Sequence, residues 1–450
     1  MSIFMKRKGD KMRKIKLNKD TEMTVDVIKY VLDLHKEEAK RINKLKDYYN
    51  NNNDIVYREY NNGNKPKNKI ANPYASYITN TAVGYFLGKP VSYTNIENFE
   101  TIKDLLVYND EADNNTTLAK MSSICGYGIE IMYVDEDTNI RFTSIDTAEC
   151  AVVYDNTLQE NIIFAIRYYD EKIINSEDVI THIEVYDKNN ITYYIKEHDS
   201  IKFVNQVPHY FLDVPVSVYI NNDERYGDFE KIKPLIDAYD KTQSDSANDF
   251  ESFTHAYLVI SGYLMDEASA SDLENQNIIN FVDNEGKAEY LIKNIQDSAL
   301  ENYKNRLDND IHRFSCVPNM SDSEFSNNSS GVALSYKLMS LENLVGIKEA
   351  KFKKGLLRRL ELMCNFLKIK TNSETSYMEI QPVFTRNKPY NDTEIADTMQ
   401  KLTGILSEET ILALSPYVDD VASELERKKN EASALYEDNY SELGAINEEE

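Results

Sequence analysis

The chain has 450 residues, 41% hydrophobic and 28% charged, enough for a substantial core spread over about two to four subdomains. It holds no run of about 18 uncharged apolar residues, and its basic start, MSIFMKRKGDKMRKIKLNKD, lacks an apolar stretch of signal-peptide length, so neither a membrane span nor secretion is expected. The formal net charge of −25 is the reverse of the basic footprint with which a protein grips nucleic-acid phosphates.

Residues 1–20 read as a mobile basic arm. A helical pattern starts at Asp20, with Val27, Val31, Leu34, Ala39, Ile42 and Leu45 on one side, and the asparagines at 50–53 break it. The polar segment YREYNNGNKPKNKI is a loop, whose Lys65, Lys67 and Lys69 are either solvated or a small basic patch. Asn72 before Pro73 suits a cap with proline in the first turn, and Gly88-Lys89-Pro90 stops the helix that follows. Residues 97–125 predict two short helices around an acidic loop at 109–116. From Tyr127 the apolar period becomes two, with strands at 127–134, 140–145, 150–154, 162–169, 181–187, 191–196 and 201–204. Short turns join them, so one antiparallel meander is expected.

Pro208 and Pro215 bracket a connector, HYFLDVPVSVYINN. A long helix then spans 227–254, with Pro234 near its start. Ile232, Ile236, Tyr239, Gln243, Ala247 and Phe250 lie on one face, with Asp237, Asp240, Asp245 and Asp249 roughly opposite. Spacing alone makes this a solvated surface helix. Residues 255–296 break into short strands and a small helix near 270–274, and a return helix runs over 298–314. A Ser-, Asp- and Asn-rich loop at 318–328 leads into a helix over 331–369, which no proline interrupts and which would be about 58 Å long. Gly346 and Gly355 mark bends or close packing points in it. A strand at 377–384, helices at 391–406 and 407–428 with Ser407 as a cap, and a charged, partly disordered tail complete the pattern.

Signs of chemistry are missing from this sequence. The six histidines are dispersed, and Cys125, Cys150, Cys316 and Cys364 form no C-x-x-C pair, so the cysteines read as small buried residues in a reducing compartment. There is no G-x-S-x-G turn and no Walker A loop, and Gly126-Tyr127-Gly128 lacks the third glycine of a dinucleotide fingerprint. Acidic clusters such as Asp135-Glu136-Asp137 and Asp419-Asp420 are expected by chance among 76 acidic residues. No catalytic residue, metal ligand or cofactor is expected.

Three strings carry a resemblance: VPNMSDSEFSNNSSGVALSYKLMSLEN, then VGYFLGKPVSY, then GILSEET with the residues after it. On these strings the chain resembles the SPP1-like portal proteins of tailed bacteriophages, over about residues 68–430 and in the family's expected order. The resemblance implies an α+β fold with long stem and channel-side helices, a sheet-rich wing, a small clip and a helical crown. Its divisions are a basic arm at 1–20, the wing at 21–226, stem helices at 227–254 and 297–315, and the clip at 255–296. A tunnel loop follows at 316–330, then the long channel-side helix at 331–369, a return strand at 370–390, the crown at 391–428 and an acidic tail at 429–450. The crown is short, a departure from the family pattern.

The function so implied is mechanical, not enzymatic. A homo-oligomeric ring, twelvefold in the family, sits at one capsid vertex of the virion after assembly in the bacterial cytoplasm. It passes double-stranded DNA without sequence specificity during packaging and ejection. Its implied partners are the terminase large subunit, a head-completion or adaptor protein, and the major capsid and scaffolding proteins whose assembly it seeds; no membrane is involved. Tunnel-loop residues would be Asn319, Ser321, Asp322, Ser323, Glu324, Asn327 and Asn328. Among the acids Asp237, Asp240, Asp245 and Asp249, the candidates for the channel-facing side of the stem, some would face the DNA. Lys348, Lys351, Lys353, Lys354, Arg358 and Arg359 are either a local DNA contact or a patch that pairs with a neighbour's acids. A twelvefold ring would carry about −300 charges, a wall that repels phosphates and lets DNA slide, unless the acidity serves only solubility.

Overall fold

The computed structural model describes residues 14–60, 66–96, 99–172, 179–198, 200–253, 257–261, 287–291, 297–320, 331–371, 376–388 and most of 392–433. Helix α1 (Val25–Tyr49) opens after Thr24, whose side-chain oxygen accepts the Val27 N–H, so the cap places the start later than the apolar pattern does. Its buried face includes Ile28, Val31, Ile42, Leu45 and Tyr48. Helix α2 (Tyr74–Leu87) follows Pro73 and buries Ile78, Ala82, Tyr85 and Phe86.

The strands are β1 (Ile15–Leu17), β2 (Ser92–Tyr93), β3 (Tyr127–Val134), β4 (Ile140–Ile145), β5 (Cys150–Asp155), β6 (Ile162–Lys172), β7 (Val179–Tyr186), β8 (Asn190–Glu197), β9 (Ser200–Pro208) and β10 (Val216–Ile220). They do not form the single meander expected. One sheet runs β1-β5-β6-β7-β8-β9, and a second has the order β10-β3-β4. Strand β3 is buried along most of its length and takes a partner on each edge. The second partner, β10, starts directly after Pro215 in the stretch read as a connector, where the buried Ser217 interrupts the apolar run.

The basic arm is also corrected at its end. Ile15–Leu17 pairs in parallel with β5, Ile15 is buried, and the Lys14 ammonium meets Glu160 at 2.7 Å. Alternation of apolar residues with Lys16 suits an edge strand, so the fold begins before residue 20.

Helices α3 (Glu100–Tyr108) and α4 (Glu111–Cys125) are separated only by Asn109 and Asp110, where an acidic loop at 109–116 was expected. Asp110 takes the left-handed conformation at φ 50°, and Asn109 binds the rim of β4 by accepting the Phe142 N–H at 3.0 Å and donating to Ile140 O at 3.0 Å. The polar run 111–116 therefore belongs to a helix, with Glu111, Asn114 and Asn115 buried.

Helix α5 (Lys233–Phe253) and helix α6 (Asp297–Ser315) pack on each other. Between them, β11 (Tyr257–Ser261) and β12 (Lys287–Leu291) form an antiparallel ribbon; the small helix expected near 270–274 lies outside the described residues. Helix α7 (Gly331–Thr371) has 41 residues. Its buried Leu338, Leu341, Val345, Phe352 and Leu356 join the main core, while Leu360, Met363 and Leu367 join a second cluster with Ile102, Met132 and Phe142. At about 2 kcal/mol per buried side chain, this helix ties the two cores together. The expected strand at 377–384 shrinks to β13 (Pro382–Val383), which pairs with β2, apart from both larger sheets. Helices α8 (Asp392–Leu402) and α9 (Glu408–Ala413) follow, the latter capped by Ser407, which accepts the Thr410 N–H.

Candidate functional site

The elements to which the resemblance assigns a channel are α5, α6, the chain after α6, and α7. The four acids of α5 are drawn inward more than expected. Asp240 is fully buried. Its carboxylate accepts the Asn72 N–H at 2.9 Å, the Asn72 side-chain amide at 2.7 Å and the Asn53 amide at 2.5 Å. Burial nevertheless pushes its pKa up. Asp237 is half-buried, accepts the Tyr48 hydroxyl, and is also raised by burial. Asp245 meets Arg58 at 2.8 Å, and Asp249 is half-buried.

A polar ladder explains the pattern. Ser244 Oγ accepts the Ile70 N–H at 2.9 Å, and Asn248 Oδ1 accepts the Asn68 N–H at 2.7 Å. Residues 240, 244 and 248 of the helix thus receive amides 72, 70 and 68 of an extended segment. Four helical residues rise about 6 Å and two extended ones about 6.6 Å, so the periods match. The expectation that Asp240 faces DNA is corrected: its carboxylate serves the backbone of its own chain.

The chain after α6 is anchored before residues 321–330. Val317 is buried, and His312 Nδ1 donates to its carbonyl at 3.0 Å. Tyr77 of α2 grips the next turn from both sides: its hydroxyl donates to Pro318 O at 3.0 Å and accepts the Met320 N–H at 2.9 Å. Tyr74, one turn earlier, donates to Asp308 at 2.6 Å. Asn319 is half-buried at this root. The other tunnel-loop residues, Ser321, Asp322, Ser323, Glu324, Asn327 and Asn328, lie outside the described residues.

The six basic residues of α7 do not form one patch. Arg359 has no exposed surface and lies over the Phe142 ring at 4.3 Å. Its guanidinium donates to Glu130 at 2.6–3.1 Å, to Glu111 at 3.2 Å and to Asn115 at 2.8 Å. Tyr219 also donates to Glu130 at 3.0 Å and Tyr93 to Glu111 Oε1 at 2.6 Å, so each buried carboxylate has a tyrosine beside the shared guanidinium. Lys348 is likewise buried, donating to Asp228 and Ser123, each at 2.5 Å. Neither residue is a DNA contact or a contact with a neighbour; a helix crossing two cores turns these charges inward. Arg358 pairs with Asp213 at 2.9 Å and Glu361 at 2.8 Å, and Lys351 with Asp223. Lys353 is half-buried and Lys354 exposed.

Sequence reasoning missed the partners of Arg359, because Glu111 stood in an expected loop and Glu130 on a strand. A buried charge pattern has no local period; a glutamate amid the apolar run YGIEIMYV was the only cue. The two glycines of α7 differ. A Cβ on Gly355 would lie 2.5 Å from the Tyr219 ring, whereas one on Gly346 would meet nothing within 4 Å. Cys125 and Cys150 are buried, with thiols pushed up to about 12 by burial, and Cys364 up to about 11. Among the described residues no three His, Cys, Asp or Glu side chains gather to hold a metal, and no helix is long and apolar enough to cross a membrane.

Comparison with known proteins adds a second line. The family model described as phage portal protein, SPP1 Gp6-like, matches residues 28–436. A portal protein of Clostridium phage phiCD119 is 27% identical over 456 residues, covering 92% of this chain and 99% of that protein. The portal protein of Bacillus phage SPP1 is 25% identical over 422 residues, covering 88% of this chain and 81% of that one.

Proposed function

The chain belongs to the SPP1 Gp6-like family of phage portal proteins, and from that premise we propose that its copies close into a ring at one capsid vertex. Double-stranded DNA passes through the centre of that ring, inward during packaging and outward at ejection. The observation that carries this reading is the family match over 28–436, which includes α2 to α9. The ring has about a dozen subunits in heterologous contact. It docks the terminase and later a head-completion protein, and it seeds head assembly with the capsid and scaffolding proteins.

The subunit suits a wall that is slid past. Its net charge is −25, so phosphates find no deep binding minimum along it. The clamp of Tyr77 on both flanks of Pro318 to Met320 gives the following residues a fixed root. On this reading Asn319, Ser321, Asp322, Ser323, Glu324, Asn327 and Asn328 project toward the DNA. Of the stem acids, Asp237, Asp245 and Asp249 keep surface to contribute, and Asp240 does not. Lys353 and Lys354 remain as basic surface groups of α7.

Immunogold labelling of mature virions tests the proposal. The expected result is one labelled vertex per particle, together with DNA-free heads when the chain is withheld. Label spread over the shell, or full heads made without the chain, would refute it. A double variant, Asp322→Lys with Glu324→Lys, is expected to form rings yet package less DNA; normal packaging would reject the loop assignment.

A further inference from the structure

Among the described residues, one face of α7 is left exposed within the subunit. Tyr336, Met339, Asn343, Ile347, Ala350 and Lys354 recur at spacings of three and four and so share one side of the helix, with Gly346 beside Ile347. Tyr336 is 74% exposed, Met339 56% and Ile347 54%. The line from Tyr336 to Lys354 is about 27 Å long.

Its charge is as informative as its apolarity. Acids make up 76 of the 450 residues, yet this face carries none. The two acids of this stretch, Glu342 and Glu349, flank the strip on the Gly346 side and are held by the chain itself. Glu342 meets Arg386 at 3.2 Å, Lys388 at 3.3 Å and the Tyr85 hydroxyl at 2.6 Å, and Glu349 meets Arg386 at 2.5 Å. At the C-terminal end stands the exposed Lys354. Gly346 leaves its backbone bare, with open space where a side chain would be.

We propose that this face of α7 is where the next copy of the same chain packs, an inference that rests on the ring reading above. Two subunits of net charge −25 repel across most of their surfaces. A strip without carboxylates, closed at one end by a lysine, is where a second copy can approach without that repulsion. The bare backbone at Gly346 admits the neighbour's side chains close to the helix axis, and Tyr336, Met339 and Ile347 supply the apolar centre that an interface needs. The charge pattern disfavours DNA as the occupant, because Lys354 and the half-buried Lys353 are confined to one end of a strip of tyrosine, methionine and isoleucine.

Native mass spectrometry of full-length protein tests this with Met339→Glu/Ile347→Glu, two substitutions at sites more than half exposed in the subunit. Wild-type protein is expected as rings, and the double variant as monomers, with the ring fraction at equal concentration down at least tenfold and far-UV circular dichroism unchanged. A photo-crosslinking amino acid at position 336 should join subunits of the wild-type ring into a ladder. Rings of the double variant at wild-type yield, or no inter-subunit product from position 336, would overturn the inference and leave the ring standing. Wild-type protein that forms no ring would instead strike the reading beneath it.

Discussion

Asp240 accepts two hydrogen bonds from Asn72, one from the backbone N–H at 2.9 Å and one from the side-chain amide at 2.7 Å. This pair is the first rung by which an extended segment is laced to α5, with Ser244 and Asn248 as the next two. It turns what the spacing presents as a solvated acidic face into an internal joint.

Removing that rung should loosen the lace locally. Asp240→Leu leaves the Asn72 N–H without its acceptor and the Asn53 amide with only the Asn72 carbonyl, at a cost of about 1–3 kcal/mol. Hydrogen exchange at Asn72 and Ile70 is expected to accelerate by one to two orders of magnitude (about 10–100-fold), with the amides of β5 and β6 unchanged. Unaltered protection at both positions would mean the ladder carries no load.

Arg359 and Arg358 are neighbours in sequence with opposite environments. Arg359→Met leaves Glu130 and Glu111 buried without their cation and should cost about 3–5 kcal/mol of subunit stability. Arg358→Met loses partly exposed pairs with Asp213 and Glu361 and should cost at most about 1 kcal/mol. Urea unfolding of the two variants side by side checks the contrast.

The glycines of α7 predict opposite signs. Gly346→Ala meets open space and gains helix propensity, so it should stabilise the isolated subunit by about 1 kcal/mol. Gly355→Ala drives a methyl group into the Tyr219 ring, which is buried and tied to Glu130 and has nowhere to go. It should destabilise by about 1–3 kcal/mol. Thermal melts of the two variants decide the matter.

His35 should confer acid sensitivity. Burial lowers its pKa to about 4, and its Nδ1 donates to the Tyr168 hydroxyl at 2.8 Å. The ring is neutral in the fold, while the unfolded chain titrates near 6.5, so protons favour unfolding. The contribution is intact above pH 6.5 and is lost as the pH falls toward 4, up to about 3 kcal/mol. His35→Phe should flatten the stability profile over that window; an unchanged slope would exclude His35 as the cause.

Much of the fold was legible because it is local. The cap at Ser407, the stop after Leu87 and the span of α7 follow from turn chemistry and apolar spacing. Partner choice was not. Nothing in VSVYI says that it pairs with β3, and nothing in the acids of α5 says that they will meet amides some 170 residues earlier in the chain. At the candidate site the string from Val317 to Asn343 carried the family resemblance, whereas the burial of Arg359 and Lys348 depended on where three other elements came to rest.

Electron microscopy of the purified full-length chain in negative stain tests the central claim most directly. The account predicts closed rings of about a dozen subunits around a central hole, wide enough to admit a DNA duplex. Particles that stay monomeric, or oligomers without an axial opening, would contradict it.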